Sequence, residues 1–287
     1  MGAAMLFGDY TRRVDSLQTG PANRRKVCTG RDFSLGLPSR CCGGGYMRTA
    51  TWAIFLGLLL LAAPGASHAQ DGVPVDLELV LAIDSSSSVD YREFNLQLKG
   101  YEDAFLDPIV LSAIAGGEIG SIAATLLIWA GDGGVRTIAE WALIEDEPSA
   151  AAFVAAFRKA PRYMLRDGTS LSSVIDRAAV MFAGNGFDGV RKLIDISGDG
   201  TNNTGRPPAE ARDTAVAAGI TINGLAILNE FADLDDYFAE HVVGGDGAFI
   251  IAARNFDVFS AAILNKLALE IAGIPGPMPK LAAAAGD

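Results

Sequence analysis

The stretch from Val75 to Ile83 (VDLELVLAI) constrains the fold more than any other part of the chain. It starts as an alternation and turns continuously apolar, the pattern of an interior parallel strand buried on both faces. Asp84-Ser85-Ser86-Ser87-Ser88 ends it, and Asp90 with Glu93 three residues on makes a capping-box start. Phe94, Leu98, Tyr101 and Phe105 then recur at helical spacing to about Leu106, and Pro108 stops or kinks that helix.

The same alternation continues downstream. Ile119 to Ala130 and Val135 to Ile144 read as strands joined by a Gly131-Asp132-Gly133-Gly134 hairpin turn. Helices follow over 148–160 and 170–182, with the polar loop 161–168 between them. Then come a short strand Arg191 to Ser197, a Gly/Asn/Pro-rich loop to Pro208, and a helix Ala209 to Ala218. A strand Ile220 to Leu228, a short helix 233–240, a strand 248–252 and a final helix 255–272 complete the pattern. Strands alternating with helices imply an α/β fold with a mostly parallel sheet, helices on both faces and one antiparallel edge strand from the 119–144 hairpin. Ligands in such sheets bind beyond the carboxyl ends of the strands. Segments 84–88 and 197–203 fall there, and 167–170 immediately precedes a helix.

The front of the chain is a different object. Trp52 to Ala63 is a 12-residue apolar run, broken only by Gly57, against the roughly 20 residues that a bilayer span requires. Met47 and Arg48 precede it, and Ala66-Ser67-His68-Ala69 follows. A positive start, a short apolar core and small residues at −3 and −1 predict a secretory signal peptide over 47–69, cut after Ala69. Residues 1–46 are then an over-extended gene start or a tail, with Met47 the true initiator. Residues 273–287 are a Pro- then Ala-rich tail without a core of its own.

Composition matters once that front is set aside. The whole chain has 287 residues, three Cys and a net charge of −11, but Cys28, Cys41 and Cys42 all precede Met47. Beyond Ala69 there are 218 residues with 15 basic and 31 acidic side chains, a net charge of −16, and His241 is the sole histidine. Disulfides and thiolate metal sites are therefore excluded from the mature chain. So is a general nucleic-acid binder, because phosphate neutralisation needs clustered Lys and Arg. A periplasmic or secreted protein without a stable membrane span is expected.

Asp84, Ser86 and Ser88 offer one carboxylate and two hydroxyls from one tight loop. Thr169 adds a hydroxyl and Asp199 a second carboxylate. Such an all-oxygen site of low charge suits Mg²⁺, with Mn²⁺ and Ca²⁺ as alternatives. Read alone, the Ser run is also a strand-to-helix turn whose side chains cap the helix. Asn202 and Asn203 read as turn residues or as rim contacts. The Asp233/Asp235/Asp236 cluster reads as a solvated helix start or a calcium site, His241 as structural, and Trp129 and Trp141 as packing.

Asp-x-Ser-x-Ser after a first apolar strand, a Gly-Thr before a helix and an Asp-Gly closing a later strand resemble a von Willebrand factor type A (VWA) domain with its metal-ion-dependent adhesion site. The segment IDISGDGTNN is also similar to secreted bacterial VWA-like proteins of unknown function. The resemblance covers roughly 75–272. It implies a Rossmann-like, doubly wound sheet and Mg²⁺-dependent protein binding, in which the metal takes an Asp or Glu from a partner. Residue by residue, Asp84, Ser86 and Ser88 match the first motif, Thr169 the second and Asp199 the third. One departure stands out: Gly198 separates Ser197 from Asp199, where the family has a hydroxyl residue directly before the Asp. Asp195 is an alternative to Asp199, disfavoured by its place inside the strand.

Three functions follow. The first is a non-enzymatic, metal-dependent binding module with a protein partner. The second is an assembly scaffold with a vestigial metal site. The third is a metal-dependent hydrolase, disfavoured by the absence of any G-x-S-x-G beyond Ala69 and by the lone His241.

Overall fold

The computed structural model describes residues 72–159 and 168–276. The expected signal peptide and the residues before it, Asp167 and most of the expected C-terminal tail lie outside the described residues. Six strands form one sheet: β1 (Val73–Asp84), β2 (Ile122–Trp129), β3 (Val135–Ile144), β4 (Phe187–Gly198), β5 (Thr221–Ile227) and β6 (Ile250–Ala253). Their order is β3-β2-β1-β4-β5-β6. All neighbours are parallel except β2 and β3, whose antiparallel pairing puts β3 on the edge, as the hairpin turn predicts.

The apolar alternation of β1 divides the core into two layers. Leu77, Leu79, Leu81 and Ile83 face one side; Val80 and Ala82 face the other. The first layer is closed by α1 (Tyr91–Phe105), α2 (Pro108–Ala115), α3 (Glu147–Lys159) and α7 (Phe259–Ala272). The second is closed by α4 (Leu171–Val180), α5 (Pro208–Ala217) and α6 (Leu234–His241). Burying β1 on both faces explains why its apolar run is continuous.

Several boundaries differ from the sequence reading, among them the start of β2 at Ile122 rather than Ile119. α1 ends at Phe105, ahead of Pro108 as expected, but Pro108 then opens a further helix, α2, where its missing N–H costs nothing and Asp107 caps the Ile109 N–H at 2.8 Å. β4 starts at Phe187 rather than Arg191, because Phe187 to Gly189 pair in parallel with Val73 to Val75. Those residues are half-exposed and carry no apolar pattern. β6 starts two residues later than expected, at Ile250. The last helix is preceded by a 3₁₀ turn, Phe256–Val258, capped by Asn255.

The chain leaves β1 toward β2 on one side and returns to β4 on the other. β1 and β4 therefore flank a topological switch point, where the crevice beyond the strand ends is a natural ligand site. Asp84 is the last residue of β1, and Asp199 directly follows β4.

Candidate metal centre

The loop after β1 splits its four serines by alternation. Ser85 turns back onto the end of β2, its N–H and hydroxyl both donating to the Trp129 carbonyl, at 2.8 and 3.1 Å. Ser87 is exposed. Ser86 and Ser88 face the crevice, with their hydroxyl oxygens 3.1 Å apart. Asp84 Oδ1 accepts the Ser86 N–H at 2.7 Å, which fixes the turn. Ser88 donates across to Asp199 Oδ1 at 2.7 Å, joining the loops beyond β1 and β4.

Each of the two carboxylates has one oxygen left over. Asp84 Oδ2 and Asp199 Oδ2 are buried and have no hydrogen-bond partner. An unpaired buried oxygen is expensive, and two such atoms in one crevice mark a place built for something positive. Their acidities agree. Burial, with the Asp199 charge adding to it, raises the Asp84 carboxyl to about 7. Burial raises Asp199 to about 6, helped by the charges of Glu230 and Glu93. No group of three or more His, Cys, Asp or Glu placed to hold a metal ion occurs among the described residues, so a metal here would depend on the hydroxyls as well as the two carboxylates.

Thr169 reaches the same crevice from the start of α4. A Cβ built on Gly200 would lie 3.5 Å from its hydroxyl, so Thr169 sits in contact with the residue after Asp199. Two asparagines hold it there. Asn203 Oδ1 accepts the Thr169 N–H at 2.8 Å, and Asn203 N–H returns to the Thr169 carbonyl at 2.9 Å. Asn202 Oδ1 accepts the Leu171 N–H at 2.8 Å, while its amide nitrogen donates to Thr204 and Arg206 carbonyls. Asn202 and Asn203 are thus clamps between the α4 and β4 loops.

The Gly198 departure has a steric cause. A Cβ at Gly198 would stand 3.0 Å from Asp84 Oδ2 and 3.2 Å from the buried Trp129 ring. A side chain between Ser197 and Asp199 would therefore crowd the Asp84 carboxylate and the Trp129 ring. Ser197 itself turns inward and donates to Gln97 Oε1 at 3.1 Å. Gln97 Nε2 in turn donates to the Asp84 carbonyl at 3.0 Å. Gln97 lies on the apolar face of α1, between Phe94 and Tyr101, and a lone polar residue in that stripe was the available signal for it. Asp195 does not substitute for Asp199: it points to the opposite layer and contacts Lys266.

Elsewhere, Trp129 packs in the core with its indole N–H 3.3 Å from the Ala82 carbonyl. Trp141 packs beside Phe182 and Phe187. The His241 ring packs against Tyr237, with centroids 4.6 Å apart and planes tilted by 53°. The Asp233/Asp235/Asp236 cluster opens α6.

The sheet order, the helical layers and the loops at the switch point define a VWA-like α/β domain. The chain belongs to the family described as protein of unknown function (DUF1194), whose profile matches residues 74–275. No curated protein matches the chain in sequence. Among solved structures, it is similar to proximal thread matrix protein 1 from the mussel byssus (TM-score 0.52, 16% identity). A second structure of that mussel protein, described as having a zinc-occupied MIDAS motif, gives 17% identity at the same TM-score. Both matches cover 70% of this chain but only 49% of the mussel protein, so the chain spans about half the length of those structures. A von Willebrand factor type A structure from Catenulispora acidiphila is 15% identical over 69% of this chain and 43% of that one, at a TM-score of 0.49.

Proposed function

We propose that the chain is an extracytoplasmic, non-enzymatic binding module that holds a divalent cation through Asp84, Ser86, Ser88, Thr169 and Asp199, and takes a protein partner through it. The observation that carries this reading is the pair of buried, unpartnered carboxylate oxygens, Asp84 Oδ2 and Asp199 Oδ2, beside the Ser86 and Ser88 hydroxyls. Hard oxygen donors with two carboxylates at most suit Mg²⁺, and Mn²⁺ or Ca²⁺ next. The zinc in the MIDAS motif of the mussel protein supports a divalent cation at the corresponding loops. A cation bound by so few anionic groups stays electrophilic and would accept an Asp or Glu carboxylate from the partner.

The extracytoplasmic placement rests on the signal-peptide pattern at 47–69. No helix of the described residues is long and apolar enough to cross a membrane. Glu93 and Glu230 add negative charge beside Asp199, so the partner's carboxylate arrives on a basic surround.

Calorimetric titration with Mg²⁺, Mn²⁺ and Ca²⁺ tests the metal, and pull-down from an extracytoplasmic fraction with and without a chelator tests the partner. Heat of binding together with chelator-sensitive capture is the expected result. No heat and no thermal shift with any of the three cations would favour the second reading, an assembly scaffold with a vestigial site. Turnover of generic ester or phosphate substrates would favour the hydrolase.

A further inference from the structure

In the layer between β4 and α7, three charged side chains are packed out of water. Lys266 and Glu270 stand one turn apart on α7, and Asp195 points at them from β4; none is more than 2% exposed. Lys266 Nζ lies 2.5 Å from Asp195 Oδ1 and also contacts Glu270 Oε1. Asn223 Nδ2 donates to that same Glu270 oxygen at 2.9 Å, and Asn223 Oδ1 is fixed by the Phe249 N–H at 2.9 Å. The surroundings are aromatic: the Phe249 ring centroid is 5.9 Å from Nζ, and Tyr101, fully buried, packs on Phe259.

As separate ions these groups are poorly matched. One ammonium faces two carboxylates, and uncancelled charge in an apolar interior is strongly disfavoured. Burial raises both carboxyls, Glu270 to about 7. An amine, a carboxyl group and a proton carrier held in contact, in a dry site, is also the arrangement that turns a slow bimolecular condensation into a fast internal one.

We infer that Lys266 and Asp195 become joined by an amide, formed by the folded chain itself with Glu270 carrying the protons. The step balances without any added reactant. Glu270 takes one proton from the Lys266 ammonium and hands it to the Asp195 carboxylate, leaving a neutral amine beside a neutral acid. Nζ attacks Asp195 Cγ, forming the C–N bond. Glu270 accepts the second proton from nitrogen and returns it to the departing hydroxyl, which leaves as water. Nitrogen ends with one hydrogen, the carbonyl with one oxygen, and no group is oxidised or reduced. The Tyr101 hydroxyl is buried nearby without a hydrogen-bond partner, and burial and the Asp195 charge both raise its pKa. The product removes two buried charges and leaves an amide N–H for Glu270 to accept. It also ties α7 to β4 four residues before Asp199.

Peptide mapping of the purified, denatured full chain tests this. Trypsin would release a branched peptide joining residues 193–212 to 255–280, lighter than the two together by one water, with no cleavage after Lys266. Glu270→Gln should restore the linear peptides at full mass. Lys266→Arg, which keeps the positive charge but cannot form the bond, should do the same if Glu270→Gln fails to fold. Cleavage after Lys266 with both linear wild-type peptides at full mass would overturn the inference. So would a water loss confined to a linear peptide at Asp199-Gly200, which marks a succinimide instead.

Discussion

The sharpest consequence of the metal-centre geometry concerns Asp84→Asn in the metal-free protein. Asn keeps the shape and can still accept the Ser86 N–H, but it cannot ionise. In the wild type the folded carboxyl titrates at about 7 against an unfolded value near 3.8. The folded state therefore holds its proton longer, and below pH 3.8 both states are protonated and nothing is lost. As pH rises from there, the unfolded chain ionises first, and stability falls until about pH 7. Roughly 3 pKa units at 1.36 kcal/mol each give a loss of about 4 kcal/mol, of which about 2 kcal/mol falls between pH 5 and pH 7. For a domain of this size 1 kcal/mol corresponds to about 2–4 °C in Tm. In chelator, Asp84→Asn should melt above the wild type by up to about 8–16 °C at pH 8, and the gap should narrow to about half as pH falls toward 5. Adding Mg²⁺ should raise the wild-type Tm, by about 2.7 kcal/mol equivalent at a hundredfold excess over Kd, and leave the variant unmoved. Scanning calorimetry across pH 5–8, with and without Mg²⁺, measures all of this. A variant that melts below the wild type by the same margin at every pH would refute the idea that the buried carboxylate is strained without a cation. A variant that keeps the Mg²⁺ shift would refute the assignment of Asp84 to the cation.

Other perturbations read different parts of the site. Gly198→Ala places a methyl group 3.0 Å from Asp84 Oδ2 and 3.2 Å from Trp129, so it should destabilise by about 1–3 kcal/mol in chemical denaturation and weaken the Mg²⁺ response. Asn203→Ala leaves the Thr169 N–H without its acceptor. It should cost about 1–3 kcal/mol in stability and lower Mg²⁺ affinity in calorimetry, although Asn203 is not offered as a ligand. Gln97→Leu removes the link between Ser197 and the Asp84 carbonyl, so metal affinity should fall more than the melting temperature does. Association with a partner should weaken with added salt, because screening reduces the attraction between the acidic surface and the partner's basic surround; strengthening with salt would contradict that.

The sheet and its helical layers were legible in the sequence because β1 is buried on both sides. Two-sided burial forces a continuous apolar run, and such a run is hard to mistake. The start of β4 was not legible, since Phe187 to Gly189 are held by backbone pairing to β1, which leaves no trace in side-chain polarity. Pro108 was ambiguous for a local reason: the same residue ends a helix or starts one, and Asp107 decides it by capping. At the metal centre, the ligand candidates stood out because short oxygen side chains cluster at strand ends. Their supports did not, because Gln97, Asn202 and Asn203 act at long sequence range on backbone groups.

The reading of Asp195 shows where sequence order misleads. It lies four residues from Asp199 on one strand, yet strand alternation sends its side chain into the layer of α7. Leu193, Asp195 and Ser197 share that face, and Ile194 and Ile196 take the other. A carboxylate at that position has no solvent and must find a cation, and Lys266 supplies it. Two acidic residues that look interchangeable in a ten-residue motif are therefore set to different tasks by pleat alone. Asp199, just past the strand end, is free to face the crevice, while Asp195, inside the strand, anchors the sheet to its last helix.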